Sequence, residues 1–177
     1  MDRFVVISGC SGGGKSSLLE ELKQRGHQVV EEPGRRIVKE ELANGGSALP
    51  WADPIAFARR AVEISLSDFA TAPAVDGFVF FDRGLVDAVA ALQRYLKDER
   101  TESWLRQHRY NKHVFLAPPW REIYVVDTER RHGFTEAIEE FQQLRSMYPS
   151  LGYDVHILPK LSVERRADFV VSTVTNL

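Results

Sequence analysis

A single cysteine, Cys10, stands in the 177 residues. One thiol excludes an internal disulfide framework and fits a reducing compartment. Charge of one sign is also missing, because 23 Lys and Arg face 25 Asp and Glu for a net charge of -2. That balance argues against a broad, salt-sensitive nucleic-acid surface, so no nucleic-acid partner is expected. No apolar run approaches the roughly 20 residues that cross a bilayer. The opening segment, Met1 to Ser8, carries an apolar run too short for a secretory leader. A soluble, cytoplasmic protein without a membrane span is therefore the expectation. Repeats, low-complexity tracts and long linkers are lacking too. Residues 1–177 are expected to form one domain, long enough to bury about two-thirds of the unfolded chain's surface. His27, His108, His113, His132 and His156 show no metal-ligand spacing, so no structural zinc is expected.

The 44% of hydrophobic residues that are present are too many for disorder. They alternate between short apolar runs and longer segments of 3.6 period, which suggests βαβ units around a parallel sheet. Expected strands are Phe4 to Ser8, Gln28 to Glu32, Phe78 to Asp82, His113 to Leu116 and Asp154 to Leu158. Their Val, Ile and Phe content predicts strands buried on both faces. Helices are expected at Lys15 to Arg25, Arg35 to Ala43, Val86 to Leu96 and Thr135 to Met147. Another opens at Asp53-Pro54, a cap followed by proline, and carries an apolar stripe of Phe57, Ala58, Ala61, Val62, Ser65, Leu66 and Phe69. Val163 to Val174 reads as a helix, with Phe169-Val170-Val171 open to a strand reading. The result is an α/β fold with about five parallel strands flanked by helices.

Gly9-Cys10-Ser11-Gly12-Gly13-Gly14-Lys15-Ser16-Ser17 fits G-x-x-x-x-G-K-[ST] without a mismatch. At ordinary residue frequencies, a chance match in a chain of this length is on the order of 1%. Its context, a strand before and a helix after, is the one the chemistry requires. The glycines let the backbone curl so that its N–H groups converge on phosphate oxygens, aided by the positive end of the helix. Gly9, Ser11, Gly12, Gly13, Gly14, Lys15, Ser16 and Ser17 are thus the candidate nucleotide-binding residues. Lys15 reaches the β- and γ-phosphates in such a loop, and the Ser16 hydroxyl is a hard oxygen ligand suited to Mg²⁺. Cys10 has no required role there and reads as a small space-filler.

Two further segments end in carboxylates. Phe78-Val79-Phe80-Phe81-Asp82 is an apolar run closing on an acid, the form of a Walker-B strand, which places Asp82 near Mg²⁺ and its waters. An acid capping the next helix has the same pattern, and both roles can coexist. Val29-Val30-Glu31-Glu32-Pro33 puts carboxylates at the C-terminal end of a strand, where open α/β sheets bind ligands. Arg35 and Arg36 follow, either lining an acceptor pocket as phosphate or carboxylate readers or lying on a helix face. Trp51 is a candidate stacking platform or a core residue.

With these residues in place, nearly the whole chain resembles P-loop kinases of the nucleoside and nucleotide kinase type. It is most similar to the AAA-domain P-loop ATPase-like group that includes ribosylnicotinamide-kinase domains. The resemblance rests on Gly9 to Ser17, Glu31-Glu32-Pro33-Gly34-Arg35, Asp82-Arg83-Gly84, and Val114 to Trp120 with Glu129-Arg130-Arg131. It implies the three-layer P-loop NTPase fold with a lid after the fourth strand. By it, Glu32 is the general base and Arg83 contacts the acceptor or its phosphates. Arg121, Arg130 and Arg131 would be lid arginines that neutralise the transferred phosphoryl group. The chain departs from the deoxynucleoside-kinase pattern in having Asp82 for Glu and Gly84 for Ser.

The leading expectation is a Mg²⁺-dependent kinase that transfers the γ-phosphoryl group of ATP to a small metabolite, a nucleoside-like acceptor among the candidates. Lys15, Glu32, Asp82, Arg83, Arg121, Arg130 and Arg131 form its catalytic set, with Ser16 and Asp82 holding the metal. Glu31, Glu32 and Asp82 remain rival bases. An ATPase or GTPase whose acceptor is water, and a non-catalytic module switched by nucleotide, are the alternatives. The absence of an Asn-Lys-x-Asp segment favours ATP over GTP.

Overall fold

The structure, a computed structural model, describes residues 3–123 and 133–175. Arg130 and Arg131, and most of the expected lid, lie outside the described residues. Five strands form one sheet: β1 (Phe4–Gly9), β2 (Gln28–Val30), β3 (Val79–Asp82), β4 (His113–Ala117) and β5 (Asp154–Ile157). Their order is β2-β3-β1-β4-β5, and every neighbouring pair is parallel. Seven α-helices are described: α1 (Lys15–Gln24), α2 (Pro33–Asn44), α3 (Pro54–Thr71), α4 (Leu85–Gln93), α5 (Arg100–Gln107), α6 (Phe134–Ser150) and α7 (Val163–Thr175).

The period-2 alternation of the strands sorts their side chains into two cores, one on each face of the sheet. Val5, Ile7, Phe80, Phe115 and Ala117 meet Leu18, Leu22, Ala167 and Val170 of α1 and α7. Val6, Val79, Phe81, Val114 and Leu116 face the larger core, built from α2 to α6 with Ile37, Val62, Leu85, Phe141 and Tyr148 among its members. Fully burying a side chain such as Phe80 or Phe115 contributes roughly 1.5–3 kcal/mol each. This is the three-layer P-loop NTPase fold that the resemblance implies. The expectation of burial on both faces holds for β1, β3 and β4. It fails for β2 and β5, which are half-exposed because they end the sheet.

Several boundaries differ, each for a local reason. β2 stops at Val30 rather than Glu32, because Pro33 takes the first position of α2 and leaves Glu32 as its N-cap. The helix after β3 ends at Gln93 instead of Leu96. The amides of Tyr95 and Leu96 both close a turn onto the Leu92 carbonyl. α6 runs on to Ser150, with Pro149 inside its last turn. The α7 segment is helical throughout, so the strand reading of Phe169-Val170-Val171 fails. α5 was not expected. Its Arg-Thr-Glu-Ser-Trp-Leu-Arg-Gln sequence buries only Thr101 and Leu105, too narrow a stripe to stand out by periodicity.

Parallel pairing sends the C-terminal ends of all five strands to one edge of the sheet. The chain leaves β1 toward β2 and β3 and later returns on the other side to β4, so the crevice opens beside β1. β1 and β4 approach so closely there that Gly9 is obligatory. Its φ is 109°, and a Cβ would stand 2.3 Å from the Ala117 carbonyl oxygen. Backbone strain and a backbone clash that no side chain can relieve act together. Gly9→Ala is therefore expected to destabilise the fold by roughly 2–4 kcal/mol, read from the denaturant midpoint.

Candidate active site

The phosphate loop leaves β1 at Gly9 and enters α1 at Lys15. Gly14 caps the helix in the left-handed region at φ 77°, with no side-chain cap. The first amides of α1 are therefore left for a ligand, at the positive end of the helix. Lys15 is buried, and its Nζ donates to the carbonyls of Cys10 at 2.8 Å and Gly9 at 3.4 Å. Arg35 Nη2 donates to the Ser16 hydroxyl at 3.4 Å. A cavity of about 380 Å³ lies over the loop, lined by Ser11, Gly12, Gly14, Lys15, Ser16 and Ser17. Trp120, Ile123, Leu161 to Val163 and Arg166 close its far side. Burial pushes the Cys10 thiol above its usual range, which suits a space-filler rather than a nucleophile.

Arg166, on the first turns of α7, was missing from the expected site. Its Nη1 donates to the Gly14 carbonyl at 3.0 Å, and its guanidinium lies 5.5 Å from the Trp120 ring centre. A Cβ on Gly14 would meet that guanidinium at 2.8 Å, so the smallness of Gly14 serves the contact.

A second cavity, of about 190 Å³, opens beside the first. Its walls are apolar, from Val38, Pro50, Phe57, Ala61, Ala88 and Ala91, with a charged floor. The floor is built around Arg83, which follows β3 in the left-handed region at φ 66°, a conformation costly for a non-glycine residue. Its guanidinium is held from three sides. Nε donates to Glu32 Oε1 at 3.0 Å, Nη1 donates to Glu140 Oε1 at 2.7 Å, and Asp87 Oδ1 lies 3.5 Å from Nη1. Arg35 Nε donates to the second oxygen of Glu32 at 3.2 Å. Glu140 turns its other oxygen to the phosphate loop, where the Ser11 amide donates to it at 3.2 Å. Asp87 is fixed in turn by the hydroxyls of Ser8 and Tyr148 and by the Gly84 amide.

Burial alone would raise the pKa of Glu32 and Glu140. The adjacent Arg83 and Lys15 reverse that and hold both below the ordinary carboxylate value. Asp82 behaves oppositely. Burial, reinforced by the charge of Glu32, pushes its pKa from 3.8 to about 6. Among the described residues no donor reaches the buried Asp82 Oδ1. Asp82 lines neither cavity, but an orphaned, buried carboxylate oxygen is of the kind that suits Mg²⁺, which takes few protein ligands and prefers oxygen. Ser16 and Asp82 are the residues suited to hold it.

The expected site residues separate clearly. Ser11, Gly12, Gly14, Lys15, Ser16 and Ser17 line the phosphate cavity, while Gly9 forms the tight turn into it. Glu32 and Arg83 line the second cavity, and Glu32 lines both. Glu31 is exposed and lines neither, so the geometry separates the two neighbouring acids. Arg121 is not brought into either cavity. It sits in a 3-10 turn (Arg121–Ile123) with its guanidinium 5.7 Å from the Phe134 ring centre. Arg36 is turned away as well, paired with both oxygens of Asp68 at 2.8 and 2.9 Å. Trp51 lines neither cavity. Glu140 was not expected, since nothing in the local sequence of its helix sets it apart.

A family model described as an AAA domain matches residues 4–166. A nucleotide-binding protein of Granulibacter bethesdensis is 31% identical over 96 residues, which are 52% of this chain and 29% of that protein. The chain thus spans under a third of the curated relative it matches. Among solved structures, NadR in complex with NR superposes with a TM-score of 0.73 at 22% identity, covering 99% of this chain and 52% of that one. Deoxyadenosine kinase from M. mycoides gives 0.68 at 14%, covering 98% and 100%. Shikimate kinase from Acinetobacter baumannii gives 0.58 at 12%, covering 98% and 93%.

The Asp82 shift has a sign that can be measured. Its folded pKa is above the unfolded value, so the folded state keeps a proton that the unfolded chain has lost. Stability therefore falls as pH rises from 3.8 to about 6, and the loss is complete above that. Asp82→Asn is expected to be more stable than the parent at pH 7–8, by on the order of 2 kcal/mol in denaturant unfolding. The same variant should bind Mg²⁺-nucleotide more weakly.

Proposed function

This chain belongs to the AAA domain family, and from that premise we propose that residues 1–177 act as one cytoplasmic P-loop kinase. It transfers the γ-phosphoryl group of ATP, with Mg²⁺, to a hydroxyl of a small molecule. The observation that carries this reading is the shared wall of the two cavities. Ser11, Glu32 and Arg35 line both, so a phosphate-binding chamber and a chamber with apolar walls meet at a carboxylate. A hydrolase needs room only for water on the far side of the γ-phosphate. A chamber larger than the roughly 150 Å³ cavity that holds a benzene molecule supplies room for an organic acceptor.

Each residue's part follows from its position. The loop amides and Lys15 bind the triphosphate, with Lys15 exchanging its carbonyl partners for phosphate oxygens. Ser16 and Asp82 would hold Mg²⁺, which supplies charge neutralisation on the β- and γ-phosphate oxygens when bound. Glu32 accepts a hydrogen bond from the acceptor hydroxyl and aims its oxygen at phosphorus. The new bond joins that oxygen to the γ-phosphorus, the bond from phosphorus to the β,γ-bridging oxygen breaks, and ADP leaves. The hydroxyl proton passes to Glu32. A carboxylate of lowered pKa suits this part, because phosphoryl transfer asks chiefly for aim and charge stabilisation. Arg83 fixes the Glu32 carboxylate, and Arg166 with Trp120 offers a flat cationic surface for the base of the nucleotide.

The direct test is a panel of metabolite alcohols incubated with Mg²⁺-ATP, with the phosphorylated product detected by mass. ADP formation that depends on an added alcohol is expected, and turnover with water alone at the same rate overturns the kinase reading. Glu32→Gln is expected to retain ATP affinity within about threefold while transfer drops by about a hundredfold or more. Transfer near the parent rate would place the base elsewhere. Lys15→Ala should lose at least about a hundredfold in kcat with a nearly unchanged Tm, since the lysine stabilises charge rather than packing.

A further inference from the structure

Phosphoryl transfer calls for a cation on the oxygens of the moving group. Most arginines near the site are engaged elsewhere. Arg121, the lid arginine among the described residues, lies over Phe134. Arg166 is bonded to the Gly14 carbonyl on the far side of the phosphate cavity. Arg36 is bidentate on Asp68. Arg83 is shared among three carboxylates, and its side chain is 15% exposed, so it cannot turn without leaving half-buried acids unpaired.

Arg35 is placed differently. Among the described residues it is the cation that lines both cavities, together with Ser11 and Glu32. Sequence spacing put it either in an acceptor pocket or on a helix face, and it stands on the wall between two chambers. It lies on the first turn of α2, three residues after the N-cap Glu32. Nε donates to Glu32 Oε2 at 3.2 Å, and Nη2 donates to the Ser16 hydroxyl at 3.4 Å. The guanidinium thus spans from the proposed base to the hydroxyl suited to Mg²⁺. A γ-phosphoryl group in transit lies between the same two points, with its metal-facing oxygen beside Ser16 and its acceptor beside Glu32. The bond to Ser16 is long and easily exchanged, and the arm is 40% exposed, so it can shift without disturbing the core.

We infer that Arg35 is the guanidinium that grips the transferred phosphoryl group. When the Ser16 hydroxyl turns to the metal, Nη2 passes from that hydroxyl to a phosphoryl oxygen while Nε keeps its hold on Glu32. One planar fork then sets base and phosphoryl group at a defined separation, which a point charge cannot do. Arg35 gives up no proton in this step. The acceptor oxygen bonds to the γ-phosphorus, the bond from phosphorus to the β,γ-bridging oxygen breaks, and the acceptor proton goes to Glu32. The guanidinium meets the charge on the equatorial oxygens. The inference rests on the kinase reading for the acceptor, while the grip on the terminal phosphoryl group needs none.

Calorimetry on the full chain with Mg²⁺ tests this, with ADP and the β,γ-imido analogue of ATP as the two ligands. Arg35→Ala is expected to lower the affinity for the analogue relative to ADP by about tenfold or more, with ADP itself within about threefold of the parent. Loss of Arg35 also leaves Glu32 less neutralised, and that alone would repel the terminal phosphate. Repeating the substitution in Glu32→Gln separates the two causes. A direct grip keeps a fall of about fivefold or more in that background, and an effect passed through Glu32 vanishes there. An unmoved ratio, equal weakening of both ligands, a fall that vanishes in Glu32→Gln, or no binding of either nucleotide at millimolar concentration each overturns the inference. A fall that persists, with no alcohol of the metabolite panel phosphorylated, leaves the grip standing and sinks the kinase reading. Acceptor-dependent transfer with an unmoved ratio does the reverse.

Discussion

One guanidinium sits where three carboxylates can share it, and the layout of the site depends on that sharing. Arg83 takes a left-handed backbone conformation at φ 66°, so its side chain leaves the end of β3 toward the crevice beside β1. Glu32, Asp87 and Glu140 come to it from the N-cap of α2, from α4 and from α6. Without the arginine, three acids would stand within reach of one another in a partly dry pocket. Without the acids, a buried cation would lack a partner. Either loss is costly, so the four side chains specify one another's positions. The contact also joins elements from both sides of β1, because Glu140 continues the network to the Ser11 amide.

The same network divides two cavities by chemistry. On the loop side are amides, Lys15 and the end of α1, all favourable to anions. On the other side Arg83 is shared among three carboxylates, and the walls are apolar. Glu32 lines both sides, which sets it apart among the described acids. Asp82 shows the companion arrangement, since burial and the neighbouring Glu32 raise its affinity for a proton. Keeping an acid there lowers stability at neutral pH.

Sheet topology turns these local facts into a site. The register pairs Ile7 with Asp82 and Gly9 with Ala117, so the phosphate loop, the metal-suited acid and the start of the β4 exit stand at one level. The close approach at Gly9 and the left-handed backbone at Gly14 show why these two loop positions favour glycine. One glycine admits a neighbouring backbone, and the other admits Arg166.

Much of this was legible in the sequence, because strands, caps and the phosphate loop are local patterns. Apolar runs located all five strands to within a residue or two, Asp53-Pro54 marked the start of α3, and the loop motif placed Lys15 at the head of a helix. Near-neighbour spacing carries such information, since backbone conformation and alternation of faces act over a few residues. Glu140 and Arg166 reach the loop from 129 and 152 residues away in the chain, on helices whose charged positions look like any solvated face. No local pattern distinguishes them. The choice between Glu31 and Glu32, the placement of Arg121 on an aromatic ring and the pairing of Arg36 with Asp68 are of the same kind. The chain's own order determined that it would build a phosphate cradle between a strand and a helix. Only packing decided which distant charges would surround it, because a side chain's partner is set by the helices that bury their apolar faces on the same sheet.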